Sequence, residues 1–240
     1  MATYFISDLH LSAKKPEITE RFLKFLREDA IKADALYILG DLFDVWMGDD
    51  QIDPHTQTII EGLYNLHEQG IPLYFMRGNR DFLIGDDFAH NSGCVLLPDP
   101  TRIMLYGKNI LLSHGDQLCT LDKKYQSFRR FIRAPMLQSF FLKLPMRLRA
   151  LIAGWIRKQS KRSQTSTYSP TWDVALETVY GALRHHDCHT LIHGHTHQPN
   201  IHDFILDEQA AKRIVLGDWS VTAGSVLIYD LDAITLKTLA

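Results

Sequence analysis

The chain has 240 residues, 45% of them hydrophobic, a formal net charge of −2 and three cysteines. That length supports one full hydrophobic core, and no apolar run reaches the roughly 18 residues of a membrane-spanning helix. Cys94, Cys119 and Cys188 are odd in number and far apart, which excludes a disulfide framework and a CxxC zinc site. The start, "MATYFISDLHLS", lacks a basic region followed by a long apolar one, so a cytosolic chain is expected.

In chain order, "TYFIS" is an apolar, β-rich run that ends in Asp8-Leu9-His10, and a helical pattern follows over 17–33. "ALYILG" ends in Asp41-Leu42-Phe43-Asp44 and is followed by a second helical pattern over 56–69. "PLYFMRG" ends in Asn79-Arg80-Asp81, with Asp81 placed to cap the next helix, and "NILLS" ends in His114-Gly115-Asp116. After a basic segment comes a helical pattern over 172–186, then "HTLIHG", ending in His195-Thr196-His197. "RIVLGDW" and "GSVLIYDLD" read as a closing antiparallel pair of strands. Apolar runs of this length are buried strands, and their alternation with helices predicts an α/β layered fold.

Five strand ends thus carry polar clusters, at the place where open α/β sheets bind ligands. One such cluster is an ordinary turn; five, each offering Asp, His or Asn, suit divalent metals of the Mn, Fe or Zn kind. Asp8-x-His10 and His195-x-His197 each send two side chains the same way from one strand end. Asp41, after Gly40, has two oxygens to share between two ions, and a pair of ions about 3.5–4 Å apart is the clamp of phosphoryl chemistry. Asp44 and Asp116 either orient ligands or cap turns; His193 reads as a core histidine.

The motifs D-x-H, G-D-x-x-D, G-N-x-D, H-G-D and G-H-T-H, in this order from Asp8 to His197, resemble those of the calcineurin-like metallophosphoesterases. The resemblance implies two packed mixed β-sheets flanked by helices, in a single domain over 1–240. It also implies two metal ions, one held by Asp8, His10, Asp41 and His197, the second by Asp41, Asn79, His114 and His195. In the wider family the residue after the asparagine is usually histidine, which assists an alkoxide leaving group; here it is Arg80. An arginine does not give up its proton near neutral pH, but its fork grips phosphate oxygens. A leaving group that is itself a phosphate departs as a stable anion, so Arg80 favours a pyrophosphate substrate. Pairing with Asp81 or Asp86 is the competing role.

From Lys123 to Arg162 the chain carries 12 of its 26 Lys and Arg and none of its 28 Asp and Glu. Leu137, Phe140, Phe141, Leu144, Leu148, Leu151, Ile152 and Trp155 recur at helical spacing, interrupted by Pro135 and Pro145. Three readings fit: a plain helical cap, a nucleic-acid surface, or a lipid-facing surface with cations for headgroups and apolar side chains for acyl chains. The Arg80 variant, "LYILGDLFDVWMGDD", "YQSFR" and the helical insert together resemble the branch of the family that hydrolyses UDP-2,3-diacylglucosamine in lipid A biosynthesis. That resemblance implies two Mn²⁺ ions per chain, a helical cap over 122–167, and no nucleic-acid partner. It further implies peripheral attachment to the anionic cytoplasmic face of an inner membrane. Catalysis would fall to Asn79, Arg80 and His195, with metal-activated water attacking the α-phosphorus to give UMP and 2,3-diacylglucosamine 1-phosphate. Asp122, Ser160 and Gln164 would join those three in binding substrate, although Gln164 stands where asparagine is usual. Thr167 replaces a usual lysine, and no role is carried onto it.

Overall fold

The computed structural model describes residues 2–51, 53–163 and 173–239, with side chains left aside at 159–163. Two sheets stack face to face. The first holds β1 (Ala2–Ile6), β2 (Ala35–Ile38), β3 (Leu73–Met76), β4 (Cys94–Leu97), β10 (Gly224–Asp230) and β11 (Ile234–Leu239), in the order β11-β10-β1-β2-β3-β4. The second holds β5 (Thr101–Leu105), β6 (Lys108–Ser113), β7 (Thr190–His193), β8 (Asn200–Leu206) and β9 (Gln209–Val215), in the order β5-β6-β7-β9-β8. β1 to β4 run parallel, as do β6, β7 and β9, while β5, β8, β10 and β11 pair antiparallel with their neighbours. Both sheets are therefore mixed, with the C-terminal ends of the parallel strands on one side.

The apolar strands are continuous runs because both of their faces are covered. Phe5, Tyr37, Leu39 and Met76 meet Ile110, Leu112, Ile192 and Ile214 between the sheets. The alternate residues Ile6, Leu36, Ile38 and Phe75 pack outward under α1 (Pro16–Glu28), α2 (Pro54–Glu68) and α3 (Asp86–Ser92). Leu111 and Leu191 face α7 (Leu176–His185) through Val179 and Leu183. Each helix has local cause: Pro16 and Pro54 open the first two, and Asp53 caps α2 by accepting from the Thr56 amide at 2.9 Å.

The expected helices are present, α1 and α7 shorter than expected and α2 starting two residues earlier, and α1 gives way to a 3-10 turn over Ala30–Lys32. Two expectations need correction. "RIVLGDW" and "GSVLIYDLD" do not pair with each other: β9 pairs with β7 and β8, and β10 with β1 and β11, in separate sheets. Asp81 caps no helix; it is fully buried and accepts from the amides of Gly78 (2.8 Å), Leu42 (2.8 Å) and Asp41 (3.3 Å).

Between β6 and α7 the basic segment forms α4 (Lys123–Ile132), α5 (Pro135–Leu142) and α6 (Met146–Ser163), divided at Pro135 and just before Met146. Much of its charge meets the acidic body. Arg129 and Arg133 pair with Asp116, Arg149 with Asp50, and Arg157 with Asp44. Arg149 is only 3% exposed and also donates to the Met47 and Leu144 carbonyls, at 2.7 and 2.9 Å. Arg149→Ala leaves those carbonyls without a partner and should cost about 1–3 kcal/mol. Asp50→Ala, which removes the exposed member of the pair, should cost less than about 1 kcal/mol. Denaturant unfolding of both variants checks the ranking.

Candidate metal centre

The loops after β1, β2 and β3 in one sheet and after β6 and β7 in the other converge at one end of the sandwich. Asp8, Asp41 and His114 are buried there, and donor atoms of these three lie within 4.8 Å of one another. Asp8, His10 and His197 form a second such group toward the surface. The Asp41 carboxylate faces both ways: Oδ2 lies 3.9 Å from His10 Nδ1, and Oδ1 lies 3.7 Å from His114 Nε2. Asn79 Oδ1 lies 3.0 Å from His114 Nε2. His195 packs edge-on against the His114 ring at 5.2 Å, and its amide donates to Asp8 Oδ2 at 2.8 Å. All seven expected ligands thus share one site.

The local backbone is bent to achieve this. Asp8, His10, Asp41, His195 and His197 all adopt left-handed φ, between 49° and 70°. Such conformations cost on the order of 1–3 kcal/mol each and persist where the surroundings over-determine them. Two glycines make room. A Cβ on Gly78 would lie 2.2 Å from Asp41 Oδ1, and one on Gly194 would lie 2.4 Å from Asp8 Oδ2. Asp81 ties the Asn79 loop to the Asp41 loop through backbone amides, and the Arg80 amide donates to Asp41 Oδ1 at 2.8 Å.

The electrostatics suit a cation. Burial lowers His10 to about 4 and His195 to about 3, so both imidazoles are neutral and offer lone pairs near pH 7. Burial, with Asp8 nearby, raises Asp41 to about 6. Burial alone would lower His114, but Asp41, Asp116 and Asp8 hold it up at about 9. Burial would likewise raise Asp8, yet His197, His114 and His10 keep it below the usual carboxylate range. The His10 Nδ1 atom is buried with no hydrogen-bond partner, and its Nε2 faces His197 Nε2 at 3.4 Å. His114 Nδ1 bonds the Leu39 carbonyl at 2.9 Å, which turns Nε2 into the site. Nitrogen and carboxylate donors that converge in this way, two of them (Asp8 Oδ1 and His10 Nδ1) without a hydrogen-bond partner, fit divalent metal ions.

Sequence reasoning missed several supports. Asp218 Oδ2 lies 3.6 Å from His197 Nδ1 and orients that ring; its signal was one more Gly-Asp at a strand end, in "VLGDW". Ser7 donates to Asp8 Oδ2 at 2.6 Å. The guanidinium of Arg80 has neither an ion pair nor a hydrogen bond among the described residues, so neither Asp81 nor Asp86 holds it. Asp122 caps α4 by accepting from the Tyr125 amide at 2.9 Å. Gln164 and Thr167 lie outside the described residues, as does the side chain of Ser160.

The sequence pattern of the calcineurin-like phosphoesterases matches residues 1–199. The chain belongs to that family. It is similar to a protein named UDP-2,3-diacylglucosamine hydrolase from Aeromonas hydrophila subsp. hydrophila, with 50% identity over 95% of this chain and 94% of the relative. Relatives of the same name from Pectobacterium carotovorum and Serratia proteamaculans are 53% and 48% identical, over 91% and 98% of both chains. The chain is therefore also a member of the group that bears this name. Among solved structures, an archaeal phosphodiesterase superposes with a TM-score of 0.51 at 13% identity, covering 100% of this chain and 99% of its own. At that identity the likeness concerns the fold alone.

If Asp41 serves both halves of the centre, Asp41→Ala should abolish Mn²⁺-dependent stabilisation. In the unaltered chain that stabilisation should be about 2.7 kcal/mol per site at 100 times the Kd. Thermal melting with and without Mn²⁺ checks this, and retained stabilisation in the variant would remove Asp41 from the ligand set.

Proposed function

We propose that the chain hydrolyses the pyrophosphate of UDP-2,3-diacylglucosamine to UMP and 2,3-diacylglucosamine 1-phosphate, a step of lipid A biosynthesis. The relatives' shared name supports the substrate. The observation that carries the chemistry is the buried carboxylate–imidazole cluster with Arg80 beside it, an arginine unpaired among the described residues. In this reading Asp8, His10, Asp41 and His197 hold one ion, and Asp41, Asn79, His114 and His195 the other, with Mn²⁺ as the native metal. When bound, the ions supply an activated water and positive charge for the phosphoryl oxygens.

The chain's own residues do the rest. Asn79 and His195 orient the phosphoryl oxygens, and the free Arg80 fork takes those of the departing sugar phosphate. That group leaves as an anion, so the site needs no acid to protonate it. Asp122, Ser160 and Gln164 fall to substrate binding, with 122–167 as the cap. Phe131, Met136, Phe140, Leu151 and Trp155 are exposed on the insert, beside the exposed Arg130, Lys143, Arg147 and Lys158. Apolar side chains interleaved with cations support contact with acyl chains and an anionic membrane surface. Among the described residues no helix is long and apolar enough to cross a membrane.

Purified protein with Mn²⁺ and UDP-2,3-diacylglucosamine in ¹⁸O water should release labelled UMP and unlabelled sugar 1-phosphate, read by mass spectrometry after one turnover. Label in the sugar phosphate would reverse the orientation at Arg80, and turnover of soluble nucleotides alone would reject the substrate. Arg80→His should lower lipid turnover by about 10²-fold or more, as expected for loss of charge stabilisation at the phosphates. Steady-state kinetics measure it, and unchanged kinetics would make Arg80 a bystander.

A further inference from the structure

Tyr125, Arg129 and Arg133 stand four residues apart along α4 and its C-terminal cap, and so share one face. All three converge on a single atom, Asp116 Oδ2: the Tyr125 hydroxyl at 3.0 Å, Arg129 Nε at 2.7 Å and Arg133 Nη2 at 3.2 Å. Asp116 is fully buried. The same face then reaches past Asp116 in two directions. Arg133 Nη2 donates to the Gly78 carbonyl at 2.9 Å, one peptide before Asn79. The Tyr125 ring stacks on His195, with 6.0 Å between centroids and 27° between planes.

The consequence lies in where those two contacts fall. Asn79 follows β3 in the first sheet and His195 follows β7 in the second. α4 therefore touches both banks of the seam, next to Asn79 on one side and at His195 on the other. The Gly78 peptide is held at both ends, its N–H by Asp81 from the body at 2.8 Å and its carbonyl by Arg133 from the insert. Burying Asp116 without partners would be costly. Arg129 and Arg133 offset that cost.

We propose that α4 is a strut. Through Arg133 and Tyr125, braced on Asp116, it positions Asn79 and His195 for the second ion, so that the insert takes part in building the metal centre. The proposal rests on the reading of Asn79 and His195 as metal ligands. Arg129, Arg133 and Asp116 are positioning residues and touch neither substrate nor metal.

The test is Mn²⁺ titration calorimetry with the full chain, together with kcat and KM on UDP-2,3-diacylglucosamine. Arg133→Gln should weaken the lower-affinity Mn²⁺ site about 10–100-fold, the range for lost supports of metal ligands, and lower kcat while KM moves less than about twofold. Arg133→Lys keeps the charge but cannot span Gly78 and Asp116 together, so its affinity should fall between the two. The control is Lys124→Gln, an exposed charge on the same helix, which should leave Mn²⁺ affinity unchanged. Combining Arg133→Gln with Asp116→Asn should cost no more than the worse single change, because both act through one strut. Wild-type affinity and kcat in Arg133→Gln, or an equal loss in Lys124→Gln, overturns the proposal. If Arg133→Gln does not fold, Arg133→Lys carries the same comparison. A wild-type chain that binds Mn²⁺ but spares the lipid refutes the substrate while the affinities still judge the strut; one that binds no Mn²⁺ refutes both.

Discussion

Two carboxylates without access to water, Asp8 and Asp41, set the terms for the rest of this molecule. A buried anion is tolerated only where fixed donors and opposite charge surround it. Here those donors come from backbone amides as well as rings: His195 N–H to Asp8 and Arg80 N–H to Asp41. Aiming amides inward requires left-handed residues at the loop ends, and loops that close require Gly78 and Gly194 to carry no side chain. The sandwich supplies the rigid rims on which such loops can be held.

Much of this was legible in the sequence because the relevant signals are local. Each metal-ligand motif sits within a few residues of an apolar run, so strand and ligand announce one another. Ala35–Ile38, Leu73–Met76 and the Ile110–Leu112 stretch stand out by their unbroken hydrophobicity, which follows from burial on both faces. What stayed hidden is non-local. β5, β8 and β11 carry several exposed residues and merge with the turns beside them, and β4 is only four residues long. The partition of β9 and β10 between two sheets depends on pairing with strands far away in sequence. Asp81, two residues after Asn79 and five before a helix, looked like a cap; only the return of the β2 loop beneath it shows it to be a tie between loops.

The basic insert illustrates the same limit. Its composition shows a surplus of charge but not where the charge points. Arg129, Arg133, Arg149 and Arg157 turn toward acids of the body, so the insert is held in place by the asymmetry that seemed to reserve it for an external anion. The exposed cations and aromatic rings on the remaining surface are a smaller and more specific set. One segment thus has an inner face that braces the metal loops and an outer face rich in Phe, Leu and Trp.

The division of the proposed ligands between two sheets bears on the life history of the chain. Asp8, His10, Asp41 and Asn79 emerge first during synthesis, whereas His114, His195 and His197 follow only with β6 and β7. Neither half alone presents the buried cluster, since His114 bonds the Leu39 carbonyl across the seam. The centre comes into being when the sheets dock. A metal ion bound there would act as a latch on the finished sandwich, favouring the complete fold over any partly assembled form by its binding free energy.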